Sequence, residues 1–134
     1  MGTLKRLTVL LANVATMALV SSTVATAQVG SGQPGVAALL SAINSADAEV
    51  KELRAQKSIS VHDIHLVSVA KIENAGNKAT IDRSIAKNAG PLGEMREQIG
   101  TFDAIVKAVA AGGVSLSQVV GLDVEPGGIY IFYQ

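Results

Sequence analysis

His62-Asp63-Ile64-His65 is the histidine cluster of the chain and sets two imidazoles and a carboxylate within four residues. Imidazole nitrogens and carboxylate oxygens are the ligands zinc takes from proteins, so a metal site on His62, Asp63 and His65 is the first chemistry to weigh. The surrounding residues read as a strand, and residues three apart on a strand face opposite sides. Only a helix or a tight loop would bring both rings to one ion. The plainer expectation is a solvated strand entrance, with a bulge at His62 and Asp63 where the alternation changes parity.

Asp123 and Glu125 stand two apart, hence on one face of a strand, and in principle could share a proton or hold a cation. Two carboxylates beside a turn are more often solvated edge residues. Gly30-Ser31-Gly32-Gln33-Pro34-Gly35 spells the G-x-G-x-x-G string of dinucleotide sites. That string needs a strand before it and a helix after it inside a βαβ unit, and no strand precedes it here. The chain has no cysteine nucleophile and no serine in a Gly-x-Ser-x-Gly elbow. No motif commits the chain to a catalytic chemistry, so the leading expectation is a non-enzymatic protein without a cofactor, with a hydrolase assembled from scattered acid–base residues left open beside it.

The elements that must position these residues follow from hydrophobic spacing. Val36, Leu39, Ile43, Ala46, Val50 and Leu53 recur at intervals of three and four, which predicts an amphipathic helix of about five turns. Ile59 to Ile72 is rich in β-branched and apolar residues and predicts a strand apolar on both faces, ending at the turn Asn74-Ala75-Gly76-Asn77. Ile81, Ile85, Asn88, Leu92, Met95, Ile99, Phe102, Val106 and Val109 keep helical phase straight across Gly90-Pro91. One long helix kinked by Pro91, or two nearly collinear helices, is predicted there. Asn88 is the polar member of that stripe. It could fix the register of a helical seam, but sits more simply beside the kink. Gly112-Gly113 supplies a left-handed helix stop.

Val119–Val124 and Ile129–Tyr133 are apolar runs joined by Glu125-Pro126-Gly127-Gly128, a hairpin whose Pro and Gly suit the centre of a type II turn. The predicted fold is therefore α+β: an N-terminal amphipathic helix, a strand, a long kinked helix and a C-terminal β-hairpin, forming a small three-stranded sheet packed on helices. If the first two strands are parallel neighbours, a right-handed crossover joins them. The hairpin looks apolar on both faces, and its last strand reads as an unprotected sheet edge. Tyr130, Phe132 and Tyr133, three of the four aromatic residues, are thus the expected contact residues of an interaction surface.

The beginning of the chain predicts where it works. Lys5-Arg6, the apolar run Leu7–Val20 and the small-x-small exit Ala25-Thr26-Ala27 make the three parts of a cleavable secretory signal. The expected organisation is a signal peptide over 1–27, a flexible Gly- and Ser-rich segment over 28–35, and a single small domain over 36–134. Without cysteine, that domain rests on an ordinary apolar core rather than disulfides. The chain has 11 basic and 11 acidic residues, and losing Lys5 and Arg6 leaves the exported form weakly acidic. A chain without a basic patch argues against nucleic acid or an anionic membrane as partner. The functional expectation is a periplasmic or secreted, non-enzymatic interaction or structural module, whose partner is another protein or a second copy of itself. Its rival is a small metal- or ligand-binding periplasmic protein using the His62–His65 cluster.

Overall fold

A computed structural model describes residues 34–134. The export signal, the first six residues of the flexible segment and most of the G-x-G-x-x-G string lie outside the described residues. Helices α1 (Val36–Asn44) and α2 (Ala46–Ala55) come first, followed by strand β1 (Ile64–Ser68) between two short 3-10 turns. Helices α3 (Lys78–Lys87), α4 (Ala89–Ile99) and α5 (Asp103–Ala111) then lead to the hairpin of β2 (Val119–Glu125) and β3 (Gly128–Tyr133). The architecture is α+β, as the apolar spacing predicts. Among the described residues no helix is long and apolar enough to cross a membrane.

The first stripe buries as predicted: Leu39, Ile43, Ala46, Val50 and Leu53 are all in the core. The helix is not continuous, however, and bends at Ser45 (φ −116°, ψ 23°). The i→i−4 bonds persist on both sides, from Ser45 N–H to Ser41 O and from Glu49 N–H to Ser45 O, so phase survives the bend.

The second stripe bends at Asn88 (φ −106°, ψ 21°), three residues before Pro91. A proline ring crowds the carbonyl four residues earlier and offers it no N–H; for Pro91 that carbonyl belongs to Lys87, which places the bend where it is seen. Asn88 Nδ2 donates to Ser84 O at 2.8 Å and to Asn44 Oδ1 at 2.9 Å. One side chain therefore satisfies its own bend and ties it to the end of α1. A second break, at Gly100–Phe102, was hidden by the unbroken spacing and shifts the buried face beyond it: Ile105 and Val109 are in the core, whereas the expected Val106 is exposed. α5 ends on Gly113 at φ 75°, with Val114 N–H on Val109 O and Gly113 N–H on Ala110 O. This pair of bonds is the Schellman stop expected of Gly112-Gly113.

The predicted strand over Ile59–Ile72 shrinks to Ile64–Ser68, because Val61–Asp63 and Val69–Lys71 curl into 3-10 turns. Strand order is β1-β3-β2, with β1 parallel and β2 antiparallel to β3. β1 and β2 are thus the two edges, β3 is the centre, and the predicted edge position of the last strand is corrected. The first two strands, β1 and β2, are not neighbours, so the crossover expected between them does not arise; the parallel neighbours are β1 and β3. Nor is the hairpin turn type II: Gly127 does not take the positive φ that type requires.

Ile131 and Phe132 are adjacent on β3, point to opposite faces, and are both fully buried. The sheet is therefore covered on both faces at that level. On one face α1 approaches so closely that a Cβ at Gly121 would lie 3.2 Å from that of Ala42. On the other, the end of α5 rests on β1, and any side chain at Gly112 would collide with Leu66.

Candidate functional site

Strand register builds a row of chemically capable residues at the hairpin end of the sheet. His65 on β1 is the partner of Tyr130 on β3, and Asp123 on β2 is the partner of the same Tyr130. Partnered residues share a face, so an imidazole, a phenol ring and a carboxylate lie side by side across three strands. The two rings stack, with centroids 5.0 Å apart and planes at 27°. Gly128 makes this possible: on the same face two residues before Tyr130, its Cβ would stand 3.0 Å from Cδ2 and Nε2 of His65. Phe132 lies on this face too, but under α1. The helical cover stops short of the row, leaving His65 exposed and Tyr130 and Asp123 half-buried.

Carboxylates gather at this corner. Glu125 follows Asp123 on the same face, and Glu49 reaches in from α2 to accept the Val124 N–H at 2.7 Å. Burial, followed by the charges of Glu125 and Glu49, holds the Asp123 carboxyl above the usual carboxylate range. Among the described residues the ion pairs are those of Lys78 with Glu73 and Asp82, so no such pair neutralises Asp123. The corner offers ring surface for packing and acceptors around it, the amphipathic equipment of a contact surface.

His62 and Asp63 sit in the 3-10 turn before β1, His62 with its backbone N–H on Ser60 Oγ at 3.2 Å. His65 lies on the strand itself, stacked on Tyr130. Among the described residues no three His, Asp or Glu side chains converge as a metal ion requires. The three expected contact aromatics also part company. Tyr130 belongs to the open row, Tyr133 is half-buried on the opposite face opposite Ser68, and Phe132 is fully buried in the core. Burial removes Phe132 from any surface of the folded chain.

Sequence spacing flagged His65, Tyr130, Asp123 and Glu125 separately, and the sheet order joins them. Glu49 carried no signal, being one of several acids on the polar side of α2. Comparison with protein-family models, with curated proteins and with solved structures finds no match to this chain.

Proposed function

We propose that this chain is a small exported protein, periplasmic or secreted, that works as a non-enzymatic interaction module. Export rests on the basic head, apolar run and Ala25-Thr26-Ala27 exit of residues 1–27. The observation that carries the contact surface is the His65–Tyr130 stack, left open at the end of a sheet covered on both faces further in. A stacked pair with Asp123 and Glu125 beside it combines aromatic area with hydrogen-bonding groups, the combination that recurs in contact surfaces. The metal-binding alternative has His65 committed to the Tyr130 ring, which weighs against it.

Native mass spectrometry on untagged protein recovered from its own cell envelope tests this reading. The expected result is a mass beginning at Gln28 with a protein partner attached, lost when His65→Ala and Tyr130→Ser are combined while circular dichroism is unchanged. A bare monomer carrying a metal or small-molecule adduct would overturn the module in favour of a binding protein. A partner that stays on the double variant would move the contact off this face.

A further inference from the structure

The two edges of the sheet are finished differently. On β2, Glu49 accepts the Val124 N–H at 2.7 Å and Arg96 Nε donates to the Val119 carbonyl at 2.7 Å, so helices α2 and α4 occupy two of its outward positions. On β1, among the described residues, no side chain hydrogen-bonds to the backbone of Ile64–Ser68. β1 pairs with β3 along one side only. An edge with outward N–H and C=O groups is a template for another strand.

The residues around this edge indicate which strand fits. Exposed Asp63 directly precedes β1, and exposed Lys71 follows it by three residues. A second β1 running antiparallel about a two-fold axis sets Asp63 of each copy towards Lys71 of the other, so opposite charges meet at both ends. A parallel partner would set like against like. Glu73, the other acid near the Lys71 end, is already engaged by Lys78 at 3.8 Å. The exposed large hydrophobic residues add to the same side: Val61 (40% exposed) lies in the turn entering β1, and Val106 (37%) on α5, which packs against that turn. A five-residue strand pair alone is small for a stable interface, and these valines extend it.

We propose that the chain pairs with a second copy of itself through antiparallel β1 edges, closing a two-fold dimer with one six-stranded sheet. This deepens the reading as an interaction module and rests on it, naming one partner. It uses the sheet edge rather than the His65–Tyr130 face, so either can fail alone.

Sedimentation of untagged protein, with Asp63→Lys, Lys71→Asp and the combined swap, provides the test. The dimer is expected for the native sequence. Each single reversal turns two attractive contacts per dimer into repulsive ones and should weaken association about tenfold, whereas the swap restores it. Circular dichroism of all four should coincide, because both side chains are exposed. A native chain that stays monomeric at its highest soluble concentration overturns the pairing. So does a dimer indifferent to the single reversals, or one the swap fails to rescue. Loss of a different partner on the His65→Ala, Tyr130→Ser variant would leave the module reading standing after either failure.

Discussion

Asp123 shows how one residue's surroundings set its cost. Burial and the charges of Glu125 and Glu49 favour its protonated form in the folded protein, while in the unfolded chain it titrates in the ordinary range. Across the interval between these two values the folded state holds the extra proton, so stability falls as pH rises through it. Below the ordinary range the group is protonated in both states and the penalty is absent. Asp123→Asn is therefore expected to raise the melting temperature at neutral pH, by a small amount because the group is partly exposed, and to lose that advantage in acid. Melting curves from neutral pH down through the carboxylate range check it. Tyr130 and Phe132 illustrate the same dependence on place. Both are aromatic, both lie on β3 and on one face, and only where the helical cover ends do their roles diverge.

At the scale of the element, the helices follow their apolar stripes while their axes do not follow the simplest reading of them. Bends at Ser45 and Asn88 keep phase because the hydrogen-bond ladder continues through them. The Asn88–Asn44 bond then holds the two bent helices together. β2 shows how an edge strand is finished by its neighbours. Truncating its clamp, Glu49→Ala, leaves the Val124 N–H without its acceptor and is expected to cost about 1–2 kcal/mol. Glu49→Gln keeps an acceptor and should retain most of that. Urea unfolding of the two variants side by side gives the difference.

Over the whole molecule, a sheet of three strands is sandwiched at the level of Ile131 and Phe132 and left open at its hairpin end. That asymmetry makes one end core and the other surface. Phe132, fully buried against α1 and Gly121, is expected to behave as core: Phe132→Ala should destabilise by about 3–5 kcal/mol in chemical denaturation. A loss well under that, with the fold kept and association gone, would return Phe132 to the contact surface.

Local chemistry made much of this legible beforehand. Spacings of three and four can arise from helices alone, so the buried faces of α1 to α4 were readable from Leu39, Ile43, Val50, Ile81, Leu92 and Met95, whereas α5 turns Ile105 inward and leaves the expected Val106 exposed. Gly112-Gly113 marked its stop because only glycine takes positive φ without strain. Strand order was not readable in the same way. Apolar on both faces, β3 could have been an edge or a centre, and only the non-local pairing with β1, more than sixty residues earlier, decides it. The row of His65, Tyr130 and Asp123 depends on that pairing, because cross-strand neighbours are set by register and by the reach of covering helices, and neither is a property of any local stretch of chain.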